Sequence, residues 1–147
     1  MYYRKITFFI ISLLICNQAS PSGMEEIYIS NARIIESPPV VGMNAGYLEI
    51  ENTYPHPIIL NEVTSDEFKR IEIHQSVIEG GIARMKKTGP VTIPAHSQWI
   101  FKPGDYHLML FQPARILKAG DTVNLKFQFS DGSTIDSIAT VIHMTSR

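Results

Sequence analysis

Short segments of alternating or continuous apolar residues recur along the chain from residue 27 onward, separated by proline, glycine and polar turn residues. The clearest is Thr122–Phe129 (TVNLKFQF), in which every second residue is apolar and would face the same side of a strand. The Asp131-Gly132 pair follows it and predicts a hairpin turn into Ser133–Ile142. The other segments with strand character are Ile27–Ile35, Gly46–Glu51, Pro57–Val63, Phe68–His74, Val91–Pro94, Gln98–Lys102 and Tyr106–Phe111.

No segment after the first twenty residues keeps a helical stripe of apolar positions over three turns. Prolines at positions 55, 57, 90, 94, 103 and 113 would interrupt one in any case. Seven to nine short strands in roughly 120 residues predict an all-β domain, an antiparallel Greek-key β-sandwich or barrel. The pattern does not determine the order of the strands.

The N-terminal end has a different character. Arg4 and Lys5 precede Ile6–Cys16, an apolar run of eleven residues, and Asn17–Gly23 is polar and small. Eleven residues rise about 16 Å as a helix, about half the thickness of a bilayer core. This arrangement is typical of a secretory signal peptide, so we assign residues 1–22 to the signal and 23–147 to one exported domain. A short membrane anchor is the alternative.

Removal of the signal would also remove the single cysteine of the chain, Cys16. Ile15 stands before it, where a lipoprotein signal has a small residue, which disfavours lipid attachment. A thiol-free domain has no disulfide, thiolate zinc site or cysteine nucleophile. The net charge of -1 would become -3 without Arg4 and Lys5, and no basic stripe indicates a nucleic-acid partner. No G-x-S-x-G, phosphate-loop or dinucleotide motif is present, so we predict no enzyme.

The chemistry that remains is in the histidines and methionines. His107 and Met109 are two residues apart in a predicted strand, so both side chains leave the same face. His74 closes another predicted strand and Met85 follows the turn at Gly80-Gly81, from which both could complete a four-ligand site. Of the rest, Met43, His56 and His96 are interpreted as structural, Met24 as a terminal residue, and His143-Met144 as a possible accessory site.

Imidazole and thioether are soft, neutral ligands that suit Cu(I) and serve hard cations poorly. Neutral ligands leave the complex with the charge of the ion, which favours a shallow site near solvent. In an oxidising compartment, methionine and histidine hold copper without the oxidation to which a pair of thiolates is liable. Protonation of free imidazole below about pH 6.5 would weaken such a site.

The spacing His74, ten residues, Met85, twenty-one residues, His107, one residue, Met109 resembles the H-x10-M-x21-H-x-M motif of the PCuAC-type periplasmic copper chaperones. The segments GYLEIEN at 46–52, HLMLF at 107–111 and LKAGDTVNLKFQFSDG at 117–132 are also similar to that family. The resemblance covers roughly residues 27–142. It implies a cupredoxin-like β-sandwich that binds Cu(I) through these four side chains in the periplasm and delivers it to the binuclear copper site of cytochrome c oxidase.

Two positions depart from the family pattern. Gln75 stands where some members have a methionine, and the His/Met-rich C-terminal extension of some members is reduced here to His143-Met144. The sequence therefore leaves open whether a second copper binds near His143-Met144. Two other functions are open at this point: copper storage without delivery, and an exported β-sandwich that binds a protein partner and no metal. A blue-copper electron carrier is excluded, because it needs a cysteine thiolate beside two histidines.

Overall fold

The computed structural model describes residues 26–143. The predicted signal at residues 1–22, with Cys16, and also Met24 and Met144 lie outside this range. The described chain forms ten strands and one short 3-10 turn at Pro39–Val41. The strands are β1 (Ile27–Ile35), β2 (Met43–Asn52), β3 (Ile58–Thr64), β4 (Phe68–Glu79), β5 (Ile82–Lys87), β6 (Val91–Ile93), β7 (Ser97–Phe101), β8 (Tyr106–Pro113), β9 (Thr122–Phe129) and β10 (Thr134–Ile142). Within residues 26–143, no helix is long and apolar enough to cross a membrane.

The strands form one continuous sheet in the order β5-β4-β8-β2-β1-β10-β9-β3-β6, with β7 also paired to β2. The first half of β2 pairs with β8, and its second half pairs with β7. Every pair in this sheet is antiparallel except β1 with β10, which run parallel from Arg33↔Thr140 to Ile35↔Ile142. The prediction of an antiparallel all-β fold is confirmed, with this one parallel pair as the exception.

The core forms where the two ends of the sheet face each other. Leu108 and Leu110 of β8 belong to the same buried cluster as Leu60 of β3 and Phe127 of β9, at the far end of the strand order. A sheet whose ends share one apolar cluster is folded over as a sandwich. The alternation in β9 is as predicted, because its four apolar residues are all buried, and the turn at Gly132 joins it to β10.

One hairpin extends further than the sequence pattern indicated. β4 does not end at His74 but continues to Glu79, and β5 pairs with it along the whole of Ile82–Lys87. Gly80 and Gly81 connect the two strands with φ angles of 59° and 80°, the left-handed backbone that a tight two-residue hairpin needs. All six residues of β5 are exposed, so no alternation of buried and exposed positions marked this strand in the sequence.

Candidate metal centre

The outer face of two neighbouring strands, β4 and β8, carries three of the four predicted ligands. In the register of this pair, His74 lies opposite His107. Two residues further on, Glu72 lies opposite Met109. The intervening residues of β8, Leu108 and Leu110, point the other way into the core and are fully buried. Packing of the leucines therefore orients the histidine and methionine side chains together on the opposite face.

The two histidine rings are close and largely buried. Their centroids are 6.1 Å apart and their planes are inclined by 50°. His107 is only 3% exposed, and the side chain of His74 is 14% exposed. The neutral ligand set predicts a shallow site near solvent, and for the histidine pair that prediction is wrong. The Glu72 carboxylate beside the pair supplies a negative charge, which lowers the cost of burying a positive ion next to these rings.

Each ring uses one nitrogen for a hydrogen bond. His107 Nδ1 lies 2.9 Å from the backbone oxygen of Asp105, and His74 Nε2 lies 2.9 Å from Oε2 of Glu72. A carbonyl and an ionised carboxylate only accept hydrogen bonds, so each of these nitrogens carries the proton and donates. The opposite nitrogens, His74 Nδ1 and His107 Nε2, therefore have free lone pairs in the neutral rings.

These two free nitrogens fit a metal. Both are buried, and among residues 26–143 neither has a hydrogen-bond partner. Buried polar atoms without a partner are rare and call for an explanation, because desolvation without a compensating bond is unfavourable. Two unpartnered imidazole nitrogens beside a thioether are the donor set that a soft monovalent ion such as Cu(I) prefers.

The two methionines occupy different surroundings. Met109 is half-buried and stands next to His107 on the same strand, two residues away. Met85 is on the exposed edge strand β5 and is 65% exposed. It pairs with Ser76, two residues beyond His74 on the side away from Met109. The register thus groups the two histidines with Met109. Met85 lies on the same face of the sheet, diagonal to His74 across the β4–β5 pair.

Glu72 is the acidic residue at the centre of this face. Besides His74, its carboxylate contacts Lys87 Nζ at 3.0 Å and Arg70 Nε at 3.3 Å, both through Oε1. The hydrogen bond with His74, followed by the one with Lys87, lowers the pKa of the Glu72 carboxyl below its usual value, although burial acts in the opposite direction. Glu72 is therefore ionised at neutral pH.

Phe111 and Arg70 border the site at one end. The Arg70 guanidinium lies 4.2 Å from the centroid of the Phe111 ring, and that ring is 6.3 Å from His74. Sequence reasoning did not single out Glu72, Arg70 or Phe111. The signal for Glu72 was available, because a carboxylate two residues before a histidine on a strand shares its face.

The remaining histidines lie apart from this cluster. His56 stacks on Tyr54, with ring centroids 5.2 Å apart, and His96 is an exposed turn residue with a φ of 48°. His143 Nδ1 lies 2.7 Å from Glu36, at an exposed position. Met43, on β2, pairs with Phe111 of β8 and therefore faces the same side of the sheet as Met109. Within residues 26–143, no three His, Cys, Asp or Glu side chains are grouped so as to hold a metal ion.

Comparison with known proteins identifies the family. Residues 27–141 match the family described as "Putative lipoprotein LpqE-like". The chain belongs to the LpqE-like family. Two curated relatives are similar to it: uncharacterized protein RP573 of Rickettsia prowazekii, 35% identical over 94 residues, and putative lipoprotein Lxx21020 of Leifsonia xyli, 34% identical over 95 residues. Each match spans 63% of this chain, but only 52% and 57% of the respective relative.

Solved structures show which fold this LpqE-like protein has. The copper-bound PCuAC domain from PmoF2 superposes with a TM-score of 0.68 at 17% identity, over 80% of this chain and 92% of that domain. The solution structure of Cu(I)-DR1885 from Deinococcus radiodurans gives a TM-score of 0.63 at 29% identity, over 86% of this chain and 81% of that one. The cupredoxin-like sandwich of PCuAC domains, expected from the sequence, is confirmed.

Proposed function

We propose that this LpqE-like protein is a periplasmic copper chaperone that binds one Cu(I) through His74, His107, Met109 and Met85. The observation that carries the proposal is the pair of buried imidazole nitrogens, His74 Nδ1 and His107 Nε2, which lack a partner among residues 26–143. The strand face that carries them also carries Met109. The PCuAC domain of PmoF2 and the protein DR1885 have both been solved in copper-bound forms, which supports the choice of metal. The protein binds and carries the ion, and it catalyses no reaction.

Two imidazoles and two thioethers are neutral, so the bound ion keeps its single positive charge. Such a set suits Cu(I) better than Cu(II) or Zn²⁺, for which thioether sulfur is a poor ligand. His74, His107 and Met109 form the fixed part of the site in this proposal. Met85 comes from the exposed edge hairpin and closes the site from outside. A ligand on a solvent-exposed strand is also the one that an acceptor can displace first.

Anaerobic titration of the purified protein with Cu(I), against a competing chromophoric chelator, tests the proposal. We expect tight binding of one ion. Met109→Leu keeps the size of the side chain but removes the sulfur, and we expect it to weaken binding on the order of 100-fold, the upper end of the range seen for outer-shell changes. Met85→Leu is expected to weaken binding less, because Met85 lies on an exposed edge strand and is not preorganised beside the histidines.

Met43→Leu is the matched control, because Met43 shares the face of Met109 but lies opposite Phe111, outside the proposed ligand set. It should bind Cu(I) like the wild type. Wild-type affinity in a Met85→Leu/Met109→Leu double variant would exclude methionine ligation. Weak binding by the wild type itself would reject the copper function and favour a protein-binding module.

Delivery to the binuclear copper site of cytochrome c oxidase is the part of the proposal implied by the resemblance to PCuAC-type chaperones. It is tested by mixing the copper-loaded protein with the apo copper-binding domain of the oxidase subunit, separating the two and measuring the copper in each. Transfer of most of the copper within minutes supports delivery. Retention of the ion by the loaded protein, with no transfer at equilibrium, would indicate storage instead.

Export by a signal at residues 1–22 completes the proposal. The words "putative lipoprotein" in the family description and in the name of the Leifsonia relative support an exported protein. Mass spectrometry of the protein recovered from a periplasmic fraction identifies the first residue. A start between residues 19 and 24 supports a cleaved signal, and a lipid-modified Cys16 would show that the protein is a lipoprotein instead.

A further inference from the structure

We infer that Glu72 is the positioning residue of this site, because its carboxylate holds His74 in the tautomer and orientation that leave Nδ1 free as the ligand atom. None of the four proposed ligands fixes the tautomer or the orientation of the His74 ring. The inference rests on the copper function proposed above and adds an outer-sphere residue to it. Glu72 itself does not bind the ion.

The backbone brings the two side chains together. Glu72 and His74 are two residues apart on β4, so they project from the same face of the strand. Glu72 Oε2 accepts a hydrogen bond from His74 Nε2 over 2.9 Å. The Glu72 side chain is 16% exposed, so water competes only weakly for this bond.

Two cations fix the carboxylate in turn. Glu72 Oε1 contacts Lys87 Nζ at 3.0 Å and Arg70 Nε at 3.3 Å, which leaves Oε2 directed at the histidine. Lys87 is the residue of β5 directly opposite His74, and Arg70 lies over Phe111. The orientation of His74 is therefore set by a chain of contacts that begins on the two neighbouring strands.

The proton on Nε2 decides which nitrogen can bind a metal. An imidazole that donates one N–H to an acceptor presents its other nitrogen as a lone pair, and metal-binding histidines commonly donate to a carboxylate in this way. With the carboxylate removed, Nε2 has no fixed partner and the ring can rotate about χ2. Nδ1 would then point towards the site in only a fraction of molecules, and the apparent affinity falls in proportion.

His107 offers an internal comparison. Its Nδ1 donates to the backbone carbonyl of Asp105, which no side-chain substitution removes. The orientation of the His74 ring, in contrast, depends on the Glu72 side chain, which a substitution can remove. Substitution of Glu72 should therefore perturb His74 and leave His107 unchanged.

The experiment compares three variants with the wild type. Glu72→Ala removes both the acceptor and the charge, whereas Glu72→Gln keeps an acceptor oxygen and removes only the charge. Glu79→Gln is the matched control, because Glu79 lies on the same strand and contacts Lys86 and Arg84, but no histidine. Cu(I) affinity is measured by chelator competition, and the ring N–H signals of the copper-free proteins by 1H–15N NMR.

We expect Glu72→Ala to bind Cu(I) 10- to 100-fold more weakly, the range on the order of that seen when an outer-shell partner is lost. Glu72→Gln should fall between Glu72→Ala and the wild type, and Glu79→Gln should match the wild type. In the copper-free protein, the Nε2–H signal of His74 should be sharp in the wild type and in Glu72→Gln. It should broaden by solvent exchange in Glu72→Ala, with the Nδ1–H signal of His107 unaltered.

Wild-type affinity in Glu72→Ala, or an equal loss in Glu72→Gln, Glu79→Gln and Glu72→Ala, would overturn the inference while leaving the copper function intact. Failure of the wild type to bind Cu(I) would refute the function itself, and the inference with it. If Glu72→Ala does not fold, Glu72→Leu takes its place, since leucine fills the space but accepts no hydrogen bond. Cu(I) affinity and the ring N–H signals of Glu72→Leu are then compared with the wild type in the same way.

Discussion

Asn52, the last residue of β2, provides the sharpest test of how the sandwich is held together. It is fully buried. Its Nδ2 donates to the carbonyls of His56 at 3.0 Å, Ile93 at 3.2 Å and Pro94 at 2.9 Å. Its Oδ1 accepts the backbone N–H of Tyr54 at 3.0 Å. One amide thus joins the loop after β2 to the end of β6.

The geometry gives the expected cost of Asn52→Ala. An amide nitrogen has two hydrogens, so two bonds are donated in full and the third carbonyl shares a hydrogen. Loss of two donated bonds and one accepted bond, each worth about 1 kcal/mol net, lowers the free energy of unfolding by about 3 kcal/mol. For a domain of this size, that corresponds to a decrease in Tm of roughly 12 °C.

Urea unfolding followed by circular dichroism measures this change, with two other asparagine-to-alanine variants for comparison. Asn44 is also buried, but it donates a single hydrogen bond to Ile35, so Asn44→Ala should cost only about 1 kcal/mol. Asn124 is an exposed residue of β9, so Asn124→Ala should stay within about 0.5 kcal/mol of the wild type. Copper affinity should not change, because Asn52 is at the end of β2 that pairs with β7, not with β8.

Two results would contradict this reasoning. An Asn52→Ala variant within about 0.5 kcal/mol of the wild type would mean that the buried bonds contribute no net stability. An Asn44→Ala variant as unstable as Asn52→Ala would mean that burial of the amide, not the number of its bonds, determines the cost.

Three further predictions concern packing, pH and the metal. A Cβ added at Gly46 would lie 3.0 Å from a core leucine methyl, so Gly46→Ala should lower the free energy of unfolding by about 1–3 kcal/mol. Gly89→Ala is the control, because a Cβ there meets open space and should not lower it. Equal stability of the two variants would refute the overpacking argument. The backbone N–H of Lys118, followed by the Arg115 guanidinium, lowers the pKa of the Asp121 carboxyl. The charged carboxylate therefore stabilises the fold above its unfolded pKa of about 3.9, and this stability is lost as pH falls through the lower folded pKa. Asp121→Asn should thus be less stable than the wild type at pH 7 and approach it as the pH falls through the lowered pKa of Asp121, and a pH-independent difference in urea unfolding would contradict the assignment. Cu(I) at 100 times its Kd should raise the free energy of unfolding by about 2.7 kcal/mol, and an unchanged Tm on copper addition would argue against a folded-state site.

Much of the site was accessible from the spacing of residues along single strands. The i, i+2 relation of His107 and Met109 puts them on one face in any strand, and the structure has them there. The likeness of the His/Met spacing to the PCuAC motif agreed with the family and fold found. Which of the four side chains bind copper stays a prediction, as does the signal at residues 1–22.

Other features depended on contacts between distant segments. The β4–β5 hairpin was only partly foreseen, because β5 is exposed along its whole length and carries no apolar alternation. The parallel pairing of β1 with β10 joins the two ends of the domain, and no local pattern encodes it. An exposed site was expected unless a counter-charge lay nearby, and both histidines are largely buried beside Glu72, a carboxylate that the sequence pattern alone did not single out.

The sequence by itself determined the all-β class, the hairpin at Asp131-Gly132 and the inventory of soft ligands, because alternation, turn residues and residue chemistry are local properties. Only the tertiary structure decided that His74 faces His107 across two strands, and which ring nitrogen each leaves free. Strand register is a sum of many weak contacts along the sheet, and a shift by one residue would turn these side chains into the core. The hydrogen bonds that Glu72 and the Asp105 carbonyl accept are local, because each acceptor is two residues from its histidine. Lys87, in contrast, reaches Glu72 only once β5 has paired with β4.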